Sequence, residues 1–107
     1  MIKDQIINAV NHKCCIKFIY DGHVRIVEPY CVGLHASTKN PCFRGLQIDG
    51  SSNSKSNSDL PFWDMFSINK ILSLEVLDLR FDANNGLKKG YKKNDKHINP
   101  IFAQLNT

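Results

Sequence analysis

The chain has 107 residues, 42% of them hydrophobic, which suffices for one modest core and predicts a single domain over residues 1–107. No apolar run is long enough to span a bilayer, and the opening MIKDQIINAV contains an acid and an amide where a secretory leader would be apolar. We therefore expect a cytoplasmic protein that does not associate with membranes, with a formal net charge of +4.

The first predicted elements are a helix and a β-hairpin. Apolar residues recur at helical spacing over residues 2–12, which predicts an amphipathic helix. The segment CCIKFIY (14–20) alternates like a strand, and Asp21-Gly22 suits the positive φ angles of a hairpin turn. A second strand is expected to begin at Val24 and to be interrupted at an edge or bulge by Pro29.

Further strands are predicted along the middle of the chain. CFRGLQIDG (42–50) is the third strand, and LPFWDMFSINKILSLEVLDLRF (60–81) supplies one or two more. Between them, SSNSKSNSD (51–59) has five serines and no apolar residue, which predicts a mobile hairpin loop.

The C-terminal residues, about 99–106, predict a short helix. Asn99 suits its N-cap and Pro100 its first position, because proline there gives up no helical hydrogen bond. The buried face would be formed by Ile101, Phe102 and Leu105.

These elements add up to a mostly β, small α+β fold. About five short antiparallel strands over residues 13–82 suggest a small bent barrel, since closure protects strand edges. A helix at each end completes the predicted architecture.

The four cysteines do not indicate a metal site. Cys14 and Cys15 are adjacent, no CxxC pair exists, and no histidine follows at ligand spacing. We expect buried, reduced thiols, with no metal and no cofactor.

The excess positive charge lies in one segment, NNGLKKGYKKNDKH (84–97). It contains five lysines and one acid, whereas the rest of the chain has nine cations and nine acids. Such a cluster is either a solvated loop or a surface that binds polyanions by counterion release. The lysines are Lys88, Lys89, Lys92, Lys93 and Lys96.

The order of these features resembles the WYL domain family. After the N-terminal helix, IKFIYDGHVRIVEPYCVG (16–33) is similar to the family's strand–turn–strand with its Arg-x-Val-x-Pro-Tyr unit. CFRGLQIDG lies where the family has its Trp-Tyr-Leu strand, and WDMFSINKILSLEV (63–76) is similar to the later Phe and basic-Ile segment. The tripeptide itself is absent, and Phe43 and Leu46 are its nearest counterparts.

The resemblance implies an Sm- or SH3-like barrel that serves as a ligand-sensing module in transcription regulation. Family members usually follow a winged-helix DNA-binding domain, for which 107 residues leave no room. The expected ligand is therefore single-stranded nucleic acid or a nucleotide-like molecule, and a separate protein would supply the DNA-binding or effector domain.

The candidate ligand site combines cations with aromatic rings. If neighbouring strands bring Arg25, Arg44 and Lys70 together, they form a basic patch for phosphate, and a base could stack on nearby rings. The ring candidates are Tyr20, Trp63 and Phe66, and Gln47 completes the set. Alternatively, Arg25 only covers a sheet face and the aromatic residues fill the barrel.

Catalysis is not expected from the sequence. Cys31 and His35 are spaced for contact on a helix but lie in a strand followed by a loop, and GLKKGY lacks the spacing of a phosphate-binding loop. The main alternative to ligand binding is a protein-interaction module. It would use an exposed strand edge or the lysine segment, as a subunit of a larger regulatory or defence complex or as a homodimer.

Overall fold

The structure, a computed structural model, describes residues 1–106. Helix α1 (Ile2–His12) confirms the predicted N-terminal helix, and it buries Ile6, Ala9 and Val10. It ends at Lys13, whose left-handed conformation (φ 56°) lets its N–H reach the carbonyls of the last turn.

Six strands follow; five of them lie within residues 13–82, as expected, and the sixth comes from the C-terminal segment. They form one antiparallel sheet in which β4, β3, β2, β1 and β5 are neighbours in that order, while β6 also pairs with β2. The strands are β1 (Cys14–Tyr20), β2 (His23–His35), β3 (Pro41–Gly50), β4 (Phe62–Ser67), β5 (Leu72–Arg80) and β6 (Ile98–Gln104). A short helix, α2 (Asn84–Lys88), follows β5, and single 3₁₀ turns occupy 57–59 and 68–70.

The β1–β2 hairpin is confirmed. Both residues of its two-residue turn have positive φ, 52° at Asp21 and 77° at Gly22. This is the turn whose twist matches the twist of the flanking strands. The predicted third strand and its polar connection to the next antiparallel strand are also present.

The long strand β2 is the centre of the sheet. Along one edge it pairs with β3, and along the other it pairs first with β1 and then, from Cys31 onward, with β6. Pro29 lies where one partner has ended and the other has not begun, next to a register shift in the pairing with β3. This is where a missing backbone N–H costs least, as the sequence indicated.

The sheet is strongly curved but not closed. Strands β4 and β5 lie at opposite edges of the five-strand path, yet only residues 68–71 separate them. Four steps of about 4.8 Å between neighbouring strands would put flat edges about 19 Å apart, farther than so short a connection reaches when part of it is a 3₁₀ turn. The sheet must therefore bend, although β4 and β5 are not paired.

The predicted C-terminal helix is wrong, because residues 98–104 form strand β6. The unpaired edge of β2 offers hydrogen bonds to this segment, and His35 is paired with Ile98 and Cys31 with Gln104. Proline is tolerated on an edge strand as well as at a helix start, so Pro100 did not discriminate between the two. Phe102, predicted to be buried, is exposed.

The two faces of the sheet bury different side chains. We call the face that carries Phe18, Phe43 and Phe66 the inner face, where these rings pack with centroids 5.1–5.9 Å apart. The opposite, outer face carries Tyr30 and Trp63 and is partly covered by the segment 81–91. Within residues 1–106, no helix combines the length and apolar character needed to cross a membrane.

Candidate functional site

An open cleft of about 530 Å³ lies where the outer face meets the lysine segment. Strand β3 contributes Arg44 and strand β4 contributes Trp63, while the chain between α2 and β6 forms the other wall. That wall consists of Gly90, Tyr91, Lys92, Lys93, Asn94, Asp95, Lys96 and His97.

Arg44 is held in the cleft by one side of its guanidinium group. Its Nε donates a hydrogen bond of 2.8 Å to Oδ2 of Asp95, and the side chain remains 26% exposed. Among the described residues, nothing accepts a hydrogen bond from its two terminal amino groups. The guanidinium is therefore oriented, and its outer fork is free to bind an oxyanion through two parallel hydrogen bonds.

Asp95 orients Arg44 and organises the adjoining chain. Its Oδ1 accepts a 2.9 Å hydrogen bond from the backbone N–H of His97. Burial alone would raise the pKa of the Asp95 carboxyl, but the hydrogen bonds from Arg44 and His97 and the Arg44 charge lower it below its usual value. Asp95 is thus an anion near neutral pH, and it makes the pair with Arg44 locally neutral.

The aromatic residues of the cleft are fixed by hydrogen bonds. Nε1 of Trp63 donates to the carbonyl of Lys89 at 2.7 Å, and the indole packs edge-on against Tyr30 with centroids 5.0 Å apart. The hydroxyl of Tyr91 donates to the carbonyl of Leu105, also at 2.7 Å. The half-buried indole of Trp63 is therefore a rigid aromatic surface beside the cations.

The cleft has a strong positive charge. Lys92, Lys93 and Lys96 are exposed, and none has a carboxylate within ion-pair distance among the described residues. With Arg44 counted and Asp95 subtracted, the formal charge of the lining is 4 − 1 = +3. Lysines 88 and 89 lie at the end of α2, outside the lining.

A buried carboxylate anchors the lysine segment to the sheet. Glu28 accepts hydrogen bonds from the hydroxyl of Tyr30 at 2.9 Å and from the side-chain amide of Asn85 at 3.0 Å. Burial raises the pKa of Glu28, which these two hydrogen bonds only partly offset. Gly86 rests directly on the ring of Tyr30, where a Cβ atom would lie 2.3 Å from a ring carbon.

Arg25 is in a different environment. Its side chain is only 2% exposed, and its guanidinium carbon lies over the rings of Tyr20 and Phe66, 5.2 and 5.4 Å from their centroids. Asp64 provides a carboxylate oxygen 3.6 Å away, and Gln47 accepts a hydrogen bond of 3.5 Å. Its Nε has no hydrogen-bond partner in the described part of the chain.

The structure therefore divides the residues predicted to form one site. Those on the inner face surround the buried guanidinium: Tyr20, Arg25, Gln47 and Phe66. Arg44 and Trp63 lie instead at the cleft on the outer face, beside Lys92, Lys93 and Lys96 of the separately predicted basic segment. Lys70 is exposed in the 3₁₀ turn after β4 and contributes to neither group.

Sequence reasoning missed three residues that shape the cleft: Tyr91, Asp95 and His97. Tyr91 was visible as the only aromatic residue among the lysines, and Asp95 as the only acid. Their roles depend on contacts with β3 and the C-terminal strand, 51 and 14 residues away along the chain. No local pattern encodes contacts of that range.

Cys31 and His35 do not form a pair of nucleophile and base. Burial and, to a lesser extent, the nearby Asp95 charge raise the pKa of the Cys31 thiol to about 12, so the thiol stays protonated. Nδ1 of His35 instead accepts a hydrogen bond from the backbone of Ser37. Among residues 1–106, no group of three or more His, Cys, Asp or Glu side chains is arranged to hold a metal ion.

Comparisons of the chain with protein-family models, with curated proteins and with solved structures found no match.

Proposed function

We propose that this protein is a WYL-like regulatory module that binds single-stranded nucleic acid or a nucleotide-like ligand in the Arg44 cleft. One observation carries the proposal: cations from two distant parts of the sequence meet there beside Trp63. Arg44 comes from strand β3, and the lysines come from the segment with all the excess charge.

The chemistry of the cleft suits a phosphate joined to a planar base. The free fork of Arg44 matches two phosphate oxygens, and the three lysines add charge without fixed geometry. A base that lies on the exposed part of Trp63 would gain roughly 1–3 kcal/mol from stacking. Asp95 would act through Arg44 by holding the guanidinium in the orientation that the ligand needs.

The curvature of the sheet supports the Sm/SH3-like part of the proposal. The short 3₁₀ connection between β4 and β5 brings opposite edges of the sheet toward each other, and a backbone N–H of Ser67 donates to the hydroxyl of Tyr20 at 3.0 Å. This curvature supports the proposed bent barrel, in which the β4 and β5 edges are left unpaired. Strand β6 and the lysine segment are additions to the five-strand pattern.

Intrinsic fluorescence provides a direct test, because Trp63 is the only tryptophan. We expect short oligonucleotides, mononucleotides or cyclic nucleotides to change Trp63 emission on titration at low salt. If four cations contact phosphates of a single strand, the logarithm of the association constant should fall with log salt with a slope of about −3. No emission change and no binding with any of these probes would overturn the proposal.

Charge-removing variants locate the binding surface. The triple variant Lys92→Gln/Lys93→Gln/Lys96→Gln should reduce the slope by about 2 and weaken binding strongly. Lys13→Gln, Lys17→Gln and Lys39→Gln remove the same charge from exposed positions outside the cleft. Equal weakening by both triple variants would mean that only net charge matters and that the cleft is not a site.

A second function, protein interaction, is favoured by an exposed apolar row on the sheet. Ile19 on β1 is paired with Val24 on β2 and with Leu72 on the edge strand β5. Val24 is 45% exposed and Leu72 63% exposed. Apolar side chains that adjoin across three strands are typical of surfaces that contact another protein.

The oligomeric state tests this second function. If the row mediates self-association, light scattering should show a concentration-dependent dimer that Leu72→Ser/Val24→Ser converts to a monomer. The variant should keep its Trp63 response to oligonucleotides, since the row lies outside the cleft lining. A monomer at all concentrations would exclude the homodimer.

A further inference from the structure

A histidine outside the cleft contacts both a hydroxyl and an amide. Nδ1 of His23 lies 2.8 Å from Oγ of Ser51, and its Nε2 lies 2.6 Å from Oδ1 of Asn53. None of these residues lines the ligand cleft. The serine begins the polar loop that follows β3.

Hydrogen-bonded backbone holds both Ser51 and His23 in place. His23 is the first residue of β2, directly after the tight hairpin turn. Two hydrogen bonds hold the backbone of Ser51. Its N–H donates to the carbonyl of Val24 at 3.1 Å, and its carbonyl accepts from the side-chain amide of Gln47, also at 3.1 Å. Gly50 permits this approach, because a Cβ there would lie 2.1 Å from the carbonyl of Val24.

The hydrogen-bond pattern determines which atom carries each proton. The side-chain carbonyl oxygen of Asn53 only accepts, so Nε2 of His23 must be the protonated nitrogen. Nδ1 then has a free lone pair, and the hydroxyl of Ser51 donates to it. A hydroxyl that donates to an imidazole, with the imidazole oriented by a third group, is the arrangement of an activated nucleophile.

Unpaired backbone donors lie next to the serine. The N–H groups of Ser52 and Asn53 donate to no other described residue. The N–H of the residue after a nucleophile is a common element of the donor pair that stabilises a developing oxyanion. The loop therefore supplies the nucleophile and the candidate oxyanion donors, and the start of β2 supplies the base, His23.

We propose that Ser51 is a reactive nucleophile and a site of covalent acylation by small activated acyl esters. Oγ of Ser51 forms a bond to the carbonyl carbon of the ester, and its proton passes to Nδ1 of His23. The carbon–oxygen bond to the leaving group then breaks, and the proton passes from Nδ1 to that leaving group. Asn53 is a positioning residue that acts through His23.

Acetylation by 4-nitrophenyl acetate tests the proposal. We expect intact mass spectrometry to show one fast acetyl addition, peptide mapping to place it on Ser51, and nitrophenolate release to match it. His23→Gln should reduce the fast rate by about 100-fold, a typical contribution of a positioned base, and Ser51→Ala should abolish the fast addition because it removes the nucleophile. The pH profile of the fast rate should differ between the wild type and His23→Gln.

Variants in the same loop serve as controls. Ser54→Ala removes an exposed hydroxyl that has no contact with a histidine and should leave the rate unchanged. Asn53→Ala should slow acetylation and alter its pH profile, and Asn53→Asp should restore it. Acetylation of Ser51 no faster than that of Ser54, or unchanged acetylation in His23→Gln, would overturn the proposal. A shift in melting temperature without a change in acetylation would show that the contact only anchors the loop.

Discussion

Arg25 and Arg44 lie on adjacent strands of one sheet and looked equivalent in the sequence, but they occupy opposite faces. Arg25 points to the inner face, where two aromatic rings and Asp64 surround it. Arg44 points to the outer face, where Asp95 occupies one side of its guanidinium and the cleft is open to the other. The face on which a cation lies decides whether its charge is used internally or is offered to a ligand.

The same contrast separates the two carboxylates that hold the lysine segment. Burial raises the pKa of Glu28, whose hydrogen-bond donors, Tyr30 and Asn85, are both neutral. Asp95 is also partly buried, but its partner is a cation and its pKa is lowered. One anchor is therefore electrostatically costly when charged, whereas the other depends on its charge.

The largest expected effect is on stability, at Arg25. Arg25→Ala should reduce the free energy of unfolding by about 3 kcal/mol, because it leaves a cavity beside the rings of Tyr20 and Phe66 and removes the partner of Asp64. Arg25→Met fills the space without a desolvated charge and should regain most of this loss. Urea denaturation measures both variants. If the Arg25→Met variant folds but no longer binds oligonucleotide, then Arg25 also takes part in ligand binding and does not differ from Arg44 in this respect.

The next largest effect is on binding, at Arg44. Arg44→Gln should weaken oligonucleotide binding about 10- to 100-fold, corresponding to the loss of a charge-assisted hydrogen bond. Its stability should change little, because the pair with Asp95 is partly exposed. Trp63 fluorescence and thermal melting measure the two quantities on one sample. A large loss of stability with unchanged affinity would mean that Arg44 stabilises the fold and does not bind the ligand.

A packing variant tests whether the lysine segment must dock for the cleft to exist. Gly86→Ala places a methyl group against the ring of Tyr30 and should cost about 1–3 kcal/mol by overpacking. Oligonucleotide affinity should fall with it, although no charge is removed. Asn84→Ala, an exposed change in the same helix, is the control and should leave both unchanged.

The two carboxylates predict opposite pH dependences. The folded-state pKa of Asp95 is lowered, so its stabilisation is present at neutral pH and is lost as pH falls through about 4 and below. The folded-state pKa of Glu28 is raised. The stability that Glu28 contributes is therefore greatest at low pH, where its carboxyl is protonated, and declines as pH rises through its folded-state pKa. Asp95→Asn should flatten the acid side of the stability curve measured by urea denaturation. If Asp95→Asn loses stability at low pH as steeply as the wild type, Asp95 is not the cause of the acid-induced loss.

The smallest expected effect is at Lys70. This residue belonged to the basic patch predicted from the sequence but lies outside both arginine environments. Lys70→Gln should change affinity by less than twofold, the scale of a single distant surface charge. A decrease comparable to that of Arg44→Gln would restore the patch predicted from the sequence.

Local patterns predicted the parts of the fold that depend on near neighbours. The helical spacing in residues 2–12, the positive φ angles at Asp21-Gly22 and the bulge near Pro29 are all present. The continuous pairing of β3 with β4 keeps the regular alternation of side chains along β3, so Arg44 and Gln47, three residues apart, face opposite ways. That alternation already contained the division of the predicted site.

The rest depended on contacts between distant segments. Residues 98–104 became a strand because β2 had a free edge to pair with, and the local Asn99-Pro100 signal could not show that edge. The cleft likewise required the lysine segment to meet Arg44, a pairing between residues 51 positions apart. The basic composition predicted a polyanion surface but not its location.

The pairing of β6 with β2 has a consequence for synthesis on the ribosome. Gln104 is paired with Cys31, so the sheet cannot be completed until the C-terminal strand has left the exit tunnel. Residues 90–97, which form the lysine-rich wall of the cleft, lie between β5 and β6 in the chain. During translation, residues 92–97 therefore have only their α2 end anchored, through Asn85 and Gly86, and the cleft assembles only as β6 docks.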